Sequence, residues 1–197
     1  MRKFNVTGNI IPEQHYFVDQ TPHINALLQL IEEGAYFVLN RQRQFGKTTM
    51  LYFLRQRLTE SEEFLPAMLS FEVFAQQAEA TEPEFYTNVA ERIFKEVEHV
   101  AMEKPRATTM SDRHQFFDWL RELCRLLPKK LVVLIDEADA APETVIIGFL
   151  ANLRAMYLDR ERNPAPHSIA LAGVHDVKNL KARYREETRS IGSASPF

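Results

Sequence analysis

Gly46, Lys47 and Thr48 form a short motif whose residue types are those of a phosphate-binding loop. The motif follows the apolar run at residues 36–39 and opens an amphipathic segment at residues 47–58. A phosphate-binding loop needs backbone amides at a helix N-terminus, a lysine that reaches the phosphates, and a hydroxyl group for magnesium. We therefore predict that Lys47 binds the transferred phosphate and that Thr48 is a magnesium ligand.

Asp136 and Glu137 form a second motif, directly after the apolar run at residues 131–135. Ligands of open α/β sheets bind at the carboxyl ends of the strands, where these two side chains are expected. We predict that Asp136 holds magnesium through its water shell and that Glu137 accepts a proton from the attacking water or orients it. The alternative is that two solvated acids cap the next helix. Because two independent motifs occur in the expected order, we favour ATP hydrolysis with Mg²⁺, with Lys47 and Glu137 as the catalytic residues.

Alternating apolar runs and amphipathic segments predict the elements that position these motifs. The apolar runs predict strands at residues 36–39, within 65–73, at 131–135 and at 169–172. The amphipathic segments predict helices at residues 22–33, 47–58, 83–102, 111–127 and 143–159, with Gly34 ending the first helix and Ser111 as the N-cap of the fourth. This alternation predicts an α/β domain with a mainly parallel sheet and helices on both faces.

Composition sets limits on the class of protein. The chain has 197 residues, of which 45% are hydrophobic and 26% charged, as in ordinary soluble domains. The formal net charge of −3 disfavours nucleic acid as a partner. No run reaches the ~18 apolar residues that span a bilayer, so we expect no membrane association and a cytoplasmic location. The single cysteine, Cys124, excludes an internal disulfide and is predicted to be a buried hydrophobic residue.

Residues 41–48, 132–139 and 171–174 together resemble the bacterial AAA-like ATPase domain family. That family belongs to the P-loop ATPases with an additional catalytic glutamate, near the STAND-type signalling ATPases. Its phosphate loop similarly has an arginine and an aromatic residue before Gly-Lys-Thr, which accounts for Arg41 at the position of the usual first glycine. Residues 4–8 and 15–19 also resemble the N-terminal region of the family.

The resemblance implies a P-loop three-layer α/β sandwich in which the strand at Leu171 lies between the strands at Leu39 and Asp136. It also implies which residues bind the nucleotide: Arg43, Gln44, Phe45, Gly46, Lys47, Thr48, Thr49 and His175. His175 follows the fourth strand, where related ATPases place a polar sensor of the γ-phosphate. The alternatives are that His175 lies in a solvated turn and that the loop arginines only shape the loop.

Asp136, Glu137, Ala138 and Asp139 also spell the signature of a large RNA helicase family. A helicase core needs two α/β domains, whereas this length provides one, and the Ser-Ala-Thr motif expected after the next strand is absent from the sequence. Single strands also require an aromatic and basic groove that the sequence does not suggest. We interpret the match as part of the broader Asp-Glu motif.

The predicted function is a nucleotide-driven switch or signalling ATPase with low turnover. Three alternatives remain open: an ATP-gated module that binds an unidentified protein with little turnover, a P-loop kinase for a small acceptor, and a DNA-associated ATPase. A turnover measurement, substrate-dependent ADP release and salt-dependent DNA binding, respectively, would separate these alternatives from the predicted function.

The predicted organisation is one domain, with an N-terminal segment and helix at residues 1–35, a nucleotide-binding core at 36–189 and a loop-like tail at 190–197. Domains of this class usually carry a fifth strand beside the strand of the phosphate loop, and the tail contains no apolar run for it. We therefore expect a truncated or minimal core without the fifth strand. The strand at residues 36–39 would then be an open edge, and self-association is expected.

Overall fold

The computed structural model describes residues 21–40, 46–75, 80–101 and 109–173. Helices and strands alternate as α1 (Thr21–Glu32), β1 (Tyr36–Asn40), α2 (Lys47–Thr59), β2 (Phe64–Ser70), α3 (Glu82–Val97), α4 (Arg113–Leu126), β3 (Lys130–Asp136), α5 (Glu143–Leu158) and β4 (Ser168–Gly173). Single 3₁₀ turns follow two of the strands: η1 (Phe71–Phe74) comes after β2 and η2 (Ala138–Ala140) after β3. In the described ranges, no helix is long and apolar enough to cross a bilayer.

The four strands form one parallel sheet in the order β1-β4-β3-β2. The predicted position of the Leu171 strand between the strands of Leu39 and Asp136 is confirmed. Parallel strands need crossover connections, and the helices that provide them cover both faces of the sheet. The predicted α/β three-layer architecture is therefore confirmed. The predicted tail at residues 190–197 lies outside the described residues.

Each strand contributes side chains to both faces because successive residues of a strand point to opposite sides. On one face, Val132 and Leu134 pack in a cluster with residues of α1 and α2, among them Ile31 and Leu54. On the other face, neighbouring strand residues pack with α3, α4 and α5 in a larger cluster rich in aromatic rings. Burial on both faces explains why β3 is a continuous apolar run in the sequence.

Most predicted boundaries agree with the observed ones to within two residues, and the end of α3 and the N-cap of α4 differ. β2 begins at Phe64, one residue before the predicted range of 65–73, and it ends inside that range at Ser70, whose hydroxyl accepts a hydrogen bond from the Glu72 amide where η1 starts. The predicted helix at residues 83–102 ends at Val97 in α3. The predicted N-cap Ser111 is wrong, because Asp112 is extended and its carboxylate accepts from the Gln115 amide at 3.0 Å.

Gly34 ends α1, as predicted, through a Schellman motif. The Gly34 amide donates to the Ile31 carbonyl at 2.9 Å, and the Ala35 amide donates to the Leu30 carbonyl at 2.8 Å. Gly34 has φ 67°, a left-handed conformation that favours glycine. The chain therefore turns within the three residues 33–35 from α1 into β1, the strand that leads to the predicted phosphate loop.

The two edges of the sheet differ in how their outward amides are used. Because the Glu63 carbonyl accepts from Lys130 of β3, the alternate residues Phe64, Pro66 and Met68 point their backbone groups away from β3. The Phe64 amide donates to the Ser61 hydroxyl at 3.3 Å and the Met68 amide to Oε2 of Glu96 at 3.4 Å, whereas Pro66 has no amide hydrogen. Of the outward positions of β2, the Phe64 and Met68 donors are thus occupied and Pro66 has none, whereas Ser70 lies at the end of the strand, where η1 begins.

Glu96 also pairs with Arg55 at 2.9 Å, which joins α3 on one face of the sheet to α2 on the other, around the edge at β2. At the opposite edge, no strand in the described ranges lies on the outer side of β1. The side chain of Val38, in the middle of β1, is 42% exposed. Within the described residues the β1 edge is therefore open and the β2 edge is closed.

Candidate functional site

The carboxyl ends of the four strands meet at one edge of the sheet. The register pairs Asn40 with Gly173 and Ser70 with Asp136, and the pairing of Ile135 with Leu171 offsets these two pairs by one residue, so the four strands end within one residue of each other. Both sequence motifs are located here, since α2 begins at Lys47 soon after β1 and Glu137 follows β3 directly. This edge is where parallel α/β sheets bind ligands.

Gly46 is the N-cap of α2 and has φ 69° and ψ 29°, in the left-handed region. A Cβ atom at Gly46 would meet nothing within 4 Å, so backbone conformation rather than space favours glycine at this position. As a glycine, Gly46 offers no side-chain oxygen to the amides of the first turn of α2. Unpaired amides at the positive end of a helix dipole attract anions, and the exposed Thr48 lies in this turn.

Lys47 is only 7% exposed, although it carries a charge. Its amine donates a hydrogen bond of 2.7 Å to the main-chain carbonyl of Gly173, the last residue of β4. A buried ammonium group is costly unless it is hydrogen-bonded, and this carbonyl supplies a partner. The contact places the lysine of the first motif at the end of the strand next to β3, beside the second motif.

Asp136 is the last residue of β3 and is 3% exposed. One of its carboxylate oxygens accepts the backbone amide of Glu137 at 3.0 Å. Glu137 has φ 51° and ψ 43°, an uncommon conformation for a residue with a long side chain. The sharp turn lets the buried strand end in two successive carboxylates, and such backbone outliers cluster at functional sites.

The environment of Glu137 raises the pKa of its carboxyl group above the usual value. Burial is the largest cause, and the negative charges of Asp136, Asp139 and Glu72 raise the pKa further, whereas the charge of Lys47 lowers it. A carboxylate with a raised pKa is a stronger base. The effect of Lys47 on Glu137 also shows that the two motifs are brought together.

Asp139 and Glu72 also lie at the site and act on Glu137, although the sequence did not predict them as site residues. A Cβ atom added to Gly173 would lie 2.8 Å from Oδ1 of Asp139, so the carboxylate is packed against the backbone of β4. Glu72 lies in η1, directly after β2, and its charge acts on Glu137. The available signal was their position in the sequence. Asp139 comes two residues after Glu137 and Glu72 two residues after the end of β2, so both follow strands that end at this edge.

The oxygen ligands expected for magnesium are present in part. Asp136 supplies a buried carboxylate and Thr48 an exposed hydroxyl group at the start of α2. In the ranges that the structure describes, no group of three or more metal-ligating side chains occurs. Magnesium usually keeps several waters and binds through one or two protein ligands plus substrate phosphates, so this donor set fits Mg²⁺ accompanying a nucleotide.

Several predicted binding residues cannot be placed. Arg43, Gln44, Phe45 and His175 lie outside the described residues, as do Arg41 and residues 4–8 and 15–19. Arg154, a basic residue of α5 outside both motifs, lies at the opposite end of the sheet, with its guanidinium 5.8 Å from the ring centroid of Tyr36, the first residue of β1. Within this chain Arg154 is therefore away from the phosphate-binding end.

Comparison with solved structures identifies chains of the same fold. The chain is similar to Cdc6p from Pyrobaculum aerophilum (15% identity, TM-score 0.57), over 87% of this chain and 42% of the other. It is also similar to the ORC2 protein of Aeropyrum pernix, solved as ADPNP and ADP complexes (15% identity, TM-score 0.52, 89% of this chain and 46% of the other). A third similar structure is the Aeropyrum pernix ORC1 protein in complex with DNA (12% identity, TM-score 0.52, 92% of this chain and 46% of the other).

At these identities the likeness is one of fold, and the chain spans less than half the length of the three solved proteins. No protein-family model matches the sequence, and no curated protein matches it. The prediction that disfavours nucleic acid receives no support from the ORC1 structure, which contains DNA.

Proposed function

We propose that this chain is a P-loop domain that binds ATP with Mg²⁺, hydrolyses it slowly and acts as a nucleotide-driven switch. The observation that carries the proposal is the buried Lys47 ammonium, which donates to the Gly173 carbonyl at the end of β4, the strand next to β3. A lysine, the amides at the start of a helix and successive acids at one strand edge are the groups that phosphoryl transfer requires. The ORC2 protein, which has the same fold, was solved with ADPNP and ADP.

Each residue then has a defined part in the reaction. The amides at the start of α2 and the Lys47 ammonium bind the β- and γ-phosphates, and Thr48 and Asp136 hold Mg²⁺. When bound, Mg²⁺ neutralises charge on the phosphates. Glu137 takes a proton from the attacking water, the water oxygen bonds to the γ-phosphorus, and the bond to the β-phosphate oxygen breaks, with ADP leaving. Positioning and electrostatics supply most of the catalysis, since the protein makes no covalent bond.

Replacement of Lys47 tests the phosphate-loop assignment. Lys47→Ala is expected to abolish or greatly weaken ATP binding while the fold is retained, because the variant lacks the buried cation that meets the phosphates. Binding is measured with a fluorescent ATP analogue in the presence of Mg²⁺, and folding by circular dichroism. Lys95→Ala is the matched control, since Lys95 is exposed on α3. Unchanged ATP affinity in Lys47→Ala would remove the assignment.

A DNA-associated ATPase is a second candidate, favoured by the DNA in the ORC1 structure of the same fold. The net charge of −3 offers no general attraction for DNA, so binding would require a local patch. A DNA-binding titration at several salt concentrations tests this function, because phosphate contacts release counterions and give a steep salt dependence. An ATP-gated module that binds a protein partner would instead show ATP binding without appreciable turnover or salt-dependent DNA binding.

A further inference from the structure

Gly173 is the point where three functional elements of the edge meet. Its carbonyl oxygen accepts the Lys47 amine at 2.7 Å, so its position determines where the buried ammonium lies. On its other side, Oδ1 of Asp139 would lie 2.8 Å from a Cβ atom, and Cγ of Asp139 would lie 3.4 Å from it. A Cβ atom at residue 173 would therefore force the Asp139 carboxylate to shift from its present position, because Cβ atoms do not approach their neighbours to under 3.0 Å.

Asp139 belongs to a segment whose backbone is packed and hydrogen-bonded. It lies in η2, where the neighbouring Ala138 is 3% exposed and the Ala140 amide donates to the Glu137 carbonyl at 2.8 Å. Gly173, by contrast, is the last residue of β4, and glycine has the widest conformational freedom of any residue. Pairing with Asn40 of β1 holds Gly173 on one side, and beyond this last pair the direction of its carbonyl also depends on what packs against it.

We propose that Asp139 is a positioning residue for the phosphate-binding lysine: its carboxylate, packed against Gly173, fixes the carbonyl that holds the Lys47 ammonium. This role rests on the proposed function, in which Lys47 binds phosphate. An ammonium group has three donors, so a lysine can bind a carbonyl oxygen and a phosphate oxygen at the same time. The carbonyl therefore supports the lysine and does not compete with the nucleotide.

Two substitutions separate packing from charge at Asp139. Asp139→Asn keeps the shape of the side chain and is expected to retain ATP affinity within about threefold. Asp139→Ala removes the packed group and is expected to weaken ATP binding about tenfold, less than the ~10²-fold that a misplacement of 1 Å can cost. Asp118→Ala is the control, since the Asp118 side chain is 79% exposed on α4. If Asp139→Asn loses as much ATP affinity as Asp139→Ala, the positioning role is overturned.

A double-mutant cycle tests the contact between Asp139 and Gly173. Gly173→Ala alone is expected to lower ATP affinity about as much as Asp139→Ala, because the new methyl group displaces the carboxylate. In the Asp139→Ala background the same methyl group fits, so the double variant should be no worse than either single variant. Additive losses would overturn the proposal, as would tighter ATP binding in Gly173→Ala, which would show that the carbonyl competes with phosphate.

Thermal unfolding without nucleotide tests the same contact independently of the proposed function. Gly173→Ala should lower the Tm in the wild-type background and not in Asp139→Ala, and equal losses in both backgrounds would overturn the contact. A Gly173→Ala chain that folds only together with Asp139→Ala would support it, and Asp139→Ser replaces Asp139→Ala if the latter does not fold. Normal ATP affinity in Lys47→Ala would overturn the proposed function. If Lys47→Ala weakens ATP binding but the effects of Asp139→Ala and Gly173→Ala are additive, only the positioning role is overturned.

Discussion

Glu137 combines a left-handed backbone with a carboxyl group whose pKa is raised, and both features work against stability. The left-handed conformation costs a residue with a side chain roughly 1–2 kcal/mol. We therefore expect that Glu137→Gly does not lower the free energy of unfolding and raises it by up to about 1 kcal/mol, while ATP hydrolysis is lost. Urea unfolding together with an ATPase assay checks this, and a clear loss of stability in Glu137→Gly would contradict it.

Glu137→Gln separates ATP binding from hydrolysis. The amide keeps the size of the side chain but cannot accept a proton, so hydrolysis should fall by about 10²–10⁴-fold while ATP still binds. Glu143→Gln is the matched control, because Glu143 is exposed at the start of α5. Turnover and analogue binding are measured on the same preparations. Normal turnover in Glu137→Gln would exclude Glu137 as the base.

The raised pKa of Glu137 also predicts how stability depends on pH. A carboxyl group with a folded-state pKa above its unfolded value contributes most to stability below the unfolded pKa, and this contribution is lost as pH rises through the folded pKa. Without nucleotide, Glu137→Gln should therefore be more stable than the wild type at neutral pH, and the difference should shrink at acidic pH. Urea unfolding at both pH values measures it, and a difference that grows in acid would contradict the shift.

Residue types at fixed spacing were enough to predict Lys47, Asp136 and Glu137 as site residues, because a motif specifies the residue types, their order and the secondary-structure element beside them. Asp139 and Gly173 were not identified as partners from sequence. Their contact forms only when η2 packs against the end of β4, far away along the chain, and neither residue type indicates it alone.

At the scale of elements, the continuous apolar runs gave β3 and β4 to within one residue, since strands buried on both faces leave a clear pattern. The caps were harder to predict. Ser111 and Asp112 are both good capping residues, and the extended backbone at Asp112 decides between them. The end of β2 was predicted only as a range, because the apolar residues Phe71, Val73 and Phe74 follow the turn at Ser70 and hide the end of the strand in the sequence.

Gly34 gives a prediction for the turn between α1 and β1. Gly34→Ala should lower the free energy of unfolding by about 1–2 kcal/mol, because an alanine at positive φ is strained. Its Cβ atom would also lie 3.1 Å from Cε1 of His167. Gly148→Ala is the control: Gly148 lies within α5 with nothing within 4 Å of an added Cβ, so alanine should stabilise by about 0.5–1 kcal/mol. Similar effects of the two substitutions would contradict the Schellman turn.

At the scale of the whole molecule, the open β1 edge predicts self-association. An apolar edge strand offers unpaired backbone groups to another chain, and Val38 is exposed at its centre. Val38→Lys should reduce association without unfolding the chain, because a lysine on an edge strand opposes pairing. Size-exclusion chromatography at several concentrations checks this, with Tyr52→Lys on α2 as the control for an exposed hydrophobic residue. A wild-type protein that stays monomeric at all concentrations would contradict the prediction.

The closed β2 edge predicts the opposite response to mutation. Glu96→Ala should increase association, because the Met68 amide and the Arg55 guanidinium both lose their partner. Glu98→Ala is the control, since Glu98 is exposed just after α3. Light scattering of the two variants at equal concentration measures the change. Identical scattering would show that Glu96 does not protect this edge.

In the described part of the chain only the β1 edge is open. Strands of another copy can therefore be added on this side only, which also limits how many copies can pair. A sheet with two open edges can add copies repeatedly and grow into a fibre. A sheet with one open edge can pair with a single copy, after which no open edge remains. The Ser61 hydroxyl, Pro66 and Glu96 therefore limit the stoichiometry of edge pairing. Association through β1 should saturate at a pair as concentration rises.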